Sequence, residues 1–260
     1  EWTTGLMAGP RGSPFVDTCQ RLSRKPASLL RGDAIHTLTR GYIAMPYEWD
    51  VFRQEDVGVI AADAVRAFLL RQAPRWGARI AHRARIEGPI ESTTLRINGE
   101  THAFDSVIVA AGGWAAKLLP EFAGRLAVKR RVVGWFSTPE PRMLPVMCID
   151  NDVGTYGMPA PRGLYKLGLH AIGGATDPDD VRAPDETDAA QLSEQVELLL
   201  PKHDPKPVRM ARCLYTVTPD ENFLIAPSAA NDRVLLFSAC SGHGFKYAPA
   251  LGELSEQWIN

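Results

Sequence analysis

Residues 234–246 read Val-Leu-Leu-Phe-Ser-Ala-Cys-Ser-Gly-His-Gly-Phe-Lys, an almost wholly apolar strand that runs into a glycine loop. A helix follows, and its predicted apolar stripe is Leu251, Leu254 and Trp258. The two glycines leave backbone N–H groups accessible just before this helix, which suits an anionic or electron-rich ligand. Lys246 stands where its ammonium group can meet a carboxylate. His243 is as readily a turn histidine bonded to the backbone as a functional residue.

A second junction of this kind lies earlier in the chain. Ser106 to Ala111 is nearly all apolar, as expected of a strand buried on both faces, and it leads into Gly112-Gly113-Trp114 and a short helix. Open α/β sheets bind ligands where a buried strand ends in glycines before a helix. Because Gly-Gly also serves in any tight turn, this junction is weak evidence when taken alone.

The middle of the chain has a different pattern, which predicts an antiparallel sheet. The predicted strands are residues 129–137, 146–149, 153–158 and 164–170. Alternation in the last strand sends Tyr165, Leu167 and Leu169 to a core face. Lys166 and His170 lie on the opposite face, which meets either water or a cofactor.

The remaining segments carry weaker signals. The stretch to about Trp49 is predicted to be loop-rich, because glycines and prolines interrupt it, and a short extended piece is predicted at 56–60. A helix is predicted to open at Asp63 and to end at Pro74 and Gly77, with a core-facing stripe of Val65, Phe68 and Leu69.

Further along, residues 78–86 are predicted to form a strand, and Asn98-Gly99 marks a hairpin because both turn positions need positive φ. Thr187 is predicted to cap a helix whose buried face is Leu192, Val196 and Leu199. A strand over residues 208–217 contains Cys213. The chain therefore reads as α/β plus α+β: two discontinuous domains with a site where they meet.

Composition excludes several classes of protein. The 260 residues are 45% hydrophobic and 23% charged, which is the ordinary globular range. The 29 Lys and Arg against 30 Asp and Glu argue against nucleic-acid or anionic-membrane partners. No apolar run approaches the roughly 18 residues that span a bilayer.

The cysteines and the start of the chain suggest where the protein resides. The four cysteines have neither metal-ligand spacing nor the density of a disulfide framework, so no metal and a reducing cytoplasm are predicted. The first residues lack a signal peptide and an initiator Met, which predicts a trimmed or processed front.

Cys213 is the cysteine with a possible chemical role. Its neighbour Arg212 would favour a thiolate. Adjacent strand residues point to opposite faces, however, so Arg212 need not touch the sulfur. On the residues alone, Cys213 is more often a structural cysteine than a reactive one.

Four segments together resemble the monomeric sarcosine oxidase family, which includes N-methyltryptophan oxidase and has the D-amino-acid-oxidase fold. They are Cys213–Phe223, similar to a covalent flavin segment; Ser241–Lys246, similar to a glycine-rich flavin loop; Gly163–His170, similar to the strand with the oxygen-activating lysine; and Val107–Trp114, similar to the strand that closes the flavin domain. The likeness runs from Leu6 to the end. The family's opening Gly-x-Gly-x-x-Gly motif is absent from this sequence.

The resemblance implies a domain layout. Residues 1–51 and 122–212 would form a substrate-binding domain with an antiparallel sheet. Residues 52–121 and 213–260 would form a glutathione-reductase-like FAD-binding domain, incomplete at its N-terminal βαβ unit. The missing glycine motif predicts a fragment of the full enzyme, and this truncated chain is then expected to be weakly active or inactive.

The resemblance also implies residue roles. Cys213 would carry FAD through a thioether, and Lys166 would provide a fixed positive charge where oxygen is reduced. Lys246 would pair with the substrate carboxylate. The substrate side would be lined by Tyr156, His170 and His243. The other cofactor-binding residues would be Gly242, Gly244, Phe245, Lys246, Ile86, Ala110 and Gly112.

The implied activity is oxidation of a secondary (N-methyl or cyclic) amino acid by oxygen, giving an imine and hydrogen peroxide. The implied protein is a monomer. Two alternatives stay open: a flavin dehydrogenase that uses another electron acceptor, and a truncated non-catalytic domain without flavin. The presence of Lys166 weighs against the first, and the absent glycine motif favours the second.

Overall fold

The computed structural model describes residues 2–24, 27–140 and 144–259. The chain divides into two compact units. Unit 1 comprises residues 1–59, 130–174 and 182–213, and unit 2 comprises residues 60–129, 175–181 and 214–260. The assignment of substrate and FAD to separate domains stays a prediction.

Fourteen strands and six α-helices are present in the described residues. The strands are β1 Trp2–Gly9, β2 Ser28–Arg31, β3 Asp50–Gly58, β4 Ile86–Glu87, β5 Thr94–Ile97, β6 Glu100–Ala103, β7 Val107–Val109, β8 Ala127–Ser137, β9 Val146–Ile149, β10 Thr155–Ala160, β11 Leu164–Leu169, β12 Arg209–Val217, β13 Leu224–Pro227 and β14 Val234–Ser238. The helices are α1 Pro14–Leu22, α2 Gly32–Leu38, α3 Ala62–Gln72, α4 Ala115–Leu118, α5 Glu186–Leu199 and α6 Ala248–Ile259.

An eight-stranded sheet, in the order β12-β8-β11-β10-β9-β1-β3-β2, forms the framework of unit 1. From β8 to β2, neighbouring strands of this sheet run antiparallel, except that β1 and β9 run parallel. The predicted antiparallel sheet of middle strands is confirmed, since β8, β11, β10 and β9 pair antiparallel in that order, and β1 was not predicted as a further, parallel neighbour. β1 reaches β9 from far away in the chain, so local patterns could not indicate that direction.

The core of unit 1 lies between one face of this sheet and α5. Tyr165, Leu167 and Leu169 are buried there, as the alternation predicted, together with Leu192, Val196 and Leu199 of α5. A Cβ added at Gly134 in β8 would lie 2.9 Å from the Phe136 ring and 3.2 Å from Leu192. The glycine therefore lets the helix approach the sheet closely.

The prediction of a loop-rich front is wrong. β1 pairs with β3 and β9, and α1 begins after Ser13, whose hydroxyl accepts a hydrogen bond from the Val16 amide at 3.2 Å. Pro14 occupies the first turn of α1, where its missing N–H costs nothing. The glycines and prolines were read as breakers, whereas Pro14 starts a helix and the strand is stabilised by distant partners.

Unit 2 contains two three-stranded sheets. The first has the order β13-β14-β7, with β14 parallel to β7 and antiparallel to β13. The second, β4-β5-β6, contains the predicted hairpin, with φ of 53° at Asn98 and 87° at Gly99. The predicted strand over 78–86 is wrong, because strand structure begins only at Ile86.

The helices α3 and α6 of unit 2 are present, but their predicted apolar stripes contain no buried residue. α3 has no buried residue, and Val65, Phe68 and Leu69 are 39%, 50% and 46% exposed. The expected core face of α3 is therefore wrong. α6 also has no buried residue. Periodicity indicates that an apolar stripe exists, but it carries no information about what packs on the stripe.

The start of α5 also differs from the prediction. The N-cap is Asp185 and not Thr187, since the Asp188 amide donates to the Asp185 carboxylate at 3.1 Å. The Asp185 amide donates to the Asp188 carboxylate at 2.9 Å, which completes a reciprocal capping box. Within the described residues, no helix combines the length and the apolarity needed to cross a bilayer.

Candidate functional site

In unit 1, the sheet face opposite the core carries three of the predicted site residues. Tyr156 on β10 pairs directly with Gly168 on β11. A Cβ added at Gly168 would lie 2.5 Å from the Tyr156 hydroxyl oxygen, so the phenol ring lies across this glycine. Lys166 is two residues before Gly168 and shares its face. The space that the missing side chain leaves is therefore occupied by Tyr156, beside the lysine.

His170 follows the last residue of β11. Its amide donates to the Gly154 carbonyl at 2.8 Å, which adds one backbone hydrogen bond beyond the ends of β10 and β11. The side chain is partly buried. The structure therefore keeps Tyr156, Lys166 and His170 on one short stretch of two paired strands.

Cys213 lies in β12, at the other side of β8 from β11. The thiol is half-buried, and this burial raises its pKa. Positive charges oppose that rise in the order Lys166, Arg131, Arg130 and Arg212. Lys166 thus has a stronger effect on the sulfur than Arg212, the sequence neighbour. The electrostatic partner of Cys213 comes from the β11 face and not from its own strand.

Arg131 is a buried residue near this cysteine that sequence reasoning missed. Its Nη1 donates to the carbonyls of Arg130 at 3.1 Å and Gly173 at 2.7 Å. Arg130 instead binds the Asp188 carboxylate through two contacts of 2.8 and 2.7 Å, and this contact lowers the pKa of Asp188. The sequence signal that could have identified them is the pair Arg130-Arg131 within an otherwise apolar strand. Arginines are rarely buried without a partner, so such a pair indicates specific contacts.

Trp135 and Arg209 were also missed. Trp135 on β8 pairs directly with Lys166, and the lysine Nζ lies 5.7 Å from the centre of the indole ring. The Arg209 guanidinium carbon lies 3.8 Å from the same ring. Only the strand register reveals this contact, because the three residues are far apart in the sequence.

In unit 2, both predicted glycine junctions lie at the same edge of the sheet. β7 and β14 are parallel neighbours, with Val107 paired to Val234 and Val109 paired to Leu236. The turn after β7 contains Gly112, with φ of 54°, and the turn after β14 contains Gly242, with φ of 79°. The two turns therefore follow the carboxyl ends of adjacent strands, where α/β sheets bind ligands.

Gly244 tolerates no side chain. A Cβ there would lie 1.7 Å from the Ala239 carbonyl oxygen, so the loop folds back on the end of β14. Ser241 adopts a φ of 44°, and its hydroxyl donates to the Asn222 carbonyl at 3.0 Å. The loop conformation thus depends on a glycine at 244 and on a polar anchor at 241.

His243 is held in one orientation on this loop. Its ring stacks on Phe223 with centroids 5.0 Å apart, and its Nδ1 lies 2.9 Å from the Ser241 carbonyl oxygen. That contact makes Nδ1 the donor and leaves Nε2 as the other ring nitrogen for a ligand. Phe223, which also contacts Tyr247 edge-on, was not predicted as a site residue.

The other predicted residues of unit 2 are more dispersed. Lys246 and Phe245 are exposed, and the Lys246 Nζ lies 5.5 Å from the Tyr247 ring. Ala110 is exposed just after β7, whereas Ile86 packs against the core of unit 2. Ile86 therefore has the ordinary packing role that competes with a cofactor contact.

In unit 2, both glycine turns follow the carboxyl ends of adjacent parallel strands, which is where α/β folds bind ligands. The sequence profile of the FAD dependent oxidoreductase family matches residues 10–258. The chain belongs to that family, and the resemblance seen in the sequence is confirmed.

Individual relatives agree with this assignment. The chain is 28% identical to a monomeric sarcosine oxidase of Bacillus sp. (strain B-0618), over 97% of this chain and 69% of the relative. It is 28% identical to an N-methyl-L-tryptophan oxidase of Yersinia pestis, over 95% of this chain and 70% of the relative.

Solved structures share the fold, which confirms the predicted fold class. NikD, an unusual amino acid oxidase, has a TM-score of 0.82 at 20% identity and covers 98% of this chain and 72% of its own. L-proline dehydrogenase from P. horikoshii has a TM-score of 0.82 at 17% identity and covers 100% of this chain and 72% of its own.

The residues present fit the family's cofactor at two places. In unit 2, the glycine turns after β7 and β14 lie at the carboxyl ends of adjacent parallel strands, the position where α/β sheets bind ligands. In unit 1, Cys213 is a half-buried thiol whose electrostatic partners are all cations. These cations favour the thiolate, although burial keeps the pKa of the Cys213 thiol above its ordinary value.

Proposed function

We propose that the chain carries the catalytic residues of a flavin-dependent oxidase that acts on a secondary amino acid, N-methyl or cyclic, and gives an imine and hydrogen peroxide. The observation that supports this most is the placement of Cys213 on β12 and Lys166 on β11, on either side of β8 in the same sheet, with Lys166 the first of the cations that oppose the rise in the thiol pKa. The names of the relatives, monomeric sarcosine oxidase and N-methyl-L-tryptophan oxidase, support the substrate class.

FAD, when bound, supplies the acceptor for a hydride equivalent from the substrate C–N bond and passes the electrons to oxygen. In this proposal Cys213 holds the cofactor through a thioether. The remaining cofactor contacts come from the backbone of both glycine turns and from nearby side chains, namely Gly112, Gly242, Gly244, Phe245, Lys246, Ile86 and Ala110.

The proposed substrate contacts follow from charge and position. Lys246 is exposed and cationic, and therefore suits the substrate carboxylate. Tyr156 and His170 offer polar atoms on the face that carries Lys166, and His243 presents Nε2 from the glycine loop.

Lys166 contributes a fixed positive charge. A preorganised ammonium group stabilises negative charge that develops on oxygen as it is reduced, without any reorganisation at the moment of reaction. The reacting amine has to lose its proton before it can donate a hydride equivalent. The rate of substrate oxidation is therefore expected to rise with pH through a single ionisation.

One preparation tests the proposal. The purified chain, reconstituted with FAD, is precipitated with acid, and the pellet is inspected for colour. A yellow pellet that disappears in Cys213→Ser supports attachment at this cysteine. Peroxide is then measured with a panel of sarcosine, N-methyltryptophan, pipecolate and proline, and production from at least one of them is expected.

Two outcomes would favour the alternatives. A colourless protein that makes no peroxide with any of these compounds would indicate a non-catalytic domain without flavin. A yellow protein that reduces a dye with substrate but makes no peroxide would indicate a dehydrogenase. A reductive rate that does not change with pH would contradict the proposed ionisation of the amine.

A further inference from the structure

The side chain of Lys166 lies against Trp135, a residue outside the set that the sequence predicted. The two residues face each other directly across β11 and β8, and the lysine Nζ lies 5.7 Å from the centre of the indole ring. A cation at this distance is attracted to the electron-rich face of an indole, which is the strongest cation–π partner among the side chains. The contact therefore restrains a long and flexible side chain.

The indole is itself restrained from the next strand. The Arg209 guanidinium carbon lies 3.8 Å from the ring centre, which is the distance of a stacked pair. At the same level, the Val208 amide donates to the Trp135 carbonyl at 2.8 Å. Side chain and backbone of Trp135 are thus both fixed by the segment that leads into β12.

The opposite face of this sheet is tightly packed beneath Lys166 and Trp135. Tyr165 and Phe136, the neighbours of Lys166 and Trp135 in sequence, are fully buried and pair with each other across the same two strands. Lys166 and Trp135 are themselves half-buried. The freedom that remains lies in the lysine side chain, and the indole limits it.

We propose that Trp135, clamped by Arg209, is a positioning residue that holds the Lys166 ammonium group on the sheet face it shares with Tyr156. The effect of this positioning on catalysis rests on the proposed function, because only an oxidase needs the Lys166 charge to stabilise oxygen as it is reduced. The restraint on Lys166 is a property of unit 1 alone and can be measured without flavin.

The first test measures the restraint. The chain is pulsed with acetic anhydride, and the acetylation of Lys166 is expressed relative to the exposed Lys206 of the same unit by peptide mass spectrometry. Trp135→Leu is expected to raise this ratio about threefold, because the loss of a cation–π contact frees the amine. Trp135→Phe, which keeps an aromatic face, is expected to raise it less than about twofold. Arg209→Gln is expected to raise it by a factor between these two.

The outcomes that overturn the inference are specific. An unchanged ratio in Trp135→Leu would show that the indole does not restrain Lys166. An equal rise in Trp135→Phe would show that indole bulk, and not the aromatic face, matters. A lower ratio in Arg209→Gln would show that the arginine repels the lysine and does not clamp the ring. Circular dichroism and Tm of Trp135→Phe and Arg209→Gln establish that the comparison is made on folded protein.

The second test separates the inference from the proposed function. In flavin-loaded protein, Trp135→Leu is expected to slow the reaction of the reduced enzyme with oxygen about threefold. Reduction by substrate is expected to stay within about 1.5-fold of the parent rate, because the ammonium acts only on the oxygen step. If Lys166→Met reacts with oxygen as fast as the parent, the proposed role of Lys166 fails, while the acetylation result still decides the role of Trp135.

Discussion

The candidate site residues of the two units are held in place by different kinds of structure. In unit 1, Tyr156 and Lys166 lie on the back of a sheet whose other face is packed against α5, and the packed residues are almost fully buried. In unit 2, the glycine turns lead into α4 and α6, and α6 has no buried residue.

This difference shows two ways to fix a functional group. A side chain on a covered sheet is positioned by hydrophobic packing beneath it, at roughly 25 cal/mol for each Å² of apolar surface buried. A backbone group in a turn is positioned by steric exclusion, as at Gly244, where the Ala239 carbonyl leaves no room for a side chain. Substitutions that target packing and sterics separately can therefore distinguish the two units.

The largest effect is expected from the ion pair that joins α5 to the sheet of unit 1. Arg130 and Asp188 are 8% and 13% exposed in their side chains, and they form two short contacts. Asp188→Asn removes the carboxylate charge from this pair while the guanidinium stays buried, and should reduce the free energy of unfolding by about 3–5 kcal/mol. Urea denaturation at pH 7 measures this. Glu256→Gln, an exposed change on α6, is the control and should stay within about 0.5 kcal/mol.

The same pair predicts a pH dependence. The hydrogen bonds from Arg130 lower the pKa of Asp188 below its ordinary value of 3.8. A depressed carboxyl pKa contributes stability above the unfolded value and loses it as the pH falls through the folded value. The parent should therefore lose this contribution below about pH 4, whereas Asp188→Asn should lack it. Equal acid sensitivity in the two proteins would contradict the assignment.

The second effect compares the covered helix with the uncovered one. Leu192 of α5 is 1% exposed, so Leu192→Ala should cost about 2–5 kcal/mol from lost burial and a residual cavity. Phe68→Ala on α3 removes more atoms from a side chain that is half exposed, and should cost less than about 1 kcal/mol. Chemical denaturation followed by far-UV circular dichroism measures both. Similar losses of stability in the two variants would mean that α3 is packed as closely as α5, against the difference in burial between the two helices.

The third effect tests steric exclusion in unit 2. Gly244→Ala introduces a Cβ against the Ala239 carbonyl, and should cost about 1–3 kcal/mol through displacement of the loop. Gly252→Ala is the matched control, because this glycine lies in the middle of α6 with open space around its Cβ. It should stabilise the chain by about 0.5–1 kcal/mol. If both substitutions change the free energy of unfolding in the same direction, steric exclusion at Gly244 is contradicted.

Local patterns were enough for much of the fold. The hairpin at Asn98-Gly99, the alternation around Lys166 and the buried face of α5 were all read correctly, because period and turn chemistry are encoded in adjacent residues. The glycine turns were identified for the same reason. That they lie side by side followed only from the parallel pairing of β7 with β14.

Long-range pairing accounts for what sequence reasoning missed. β1 was missed because its partners, β3 and β9, lie far along the chain. The sequence left open whether Arg212 acts on the Cys213 sulfur, and of the four cations that do, adjacent Arg212 has the weakest effect and Lys166 the strongest. Trp135 could be recognised as a neighbour of Lys166 only once the register of β8 was known. The roles of all these residues toward flavin and substrate stay predictions.

The smallest effect tests a helix start that the sequence misplaced. Thr187 and Asp185 both have side chains that can cap, and the choice decides where the first turn of α5 begins. Because the Asp185 carboxylate accepts the Asp188 amide and its own amide is bound in return, Asp185→Ala should cost about 1 kcal/mol. Thr187→Ala should change stability by less than about 0.5 kcal/mol, since alanine suits a first-turn position. A larger loss in Thr187→Ala than in Asp185→Ala would restore Thr187 as the N-cap.

Because Asp188 serves both the cap and Arg130, a double substitution of Asp185 and Asp188 to Ala should cost less than the sum of the two single changes.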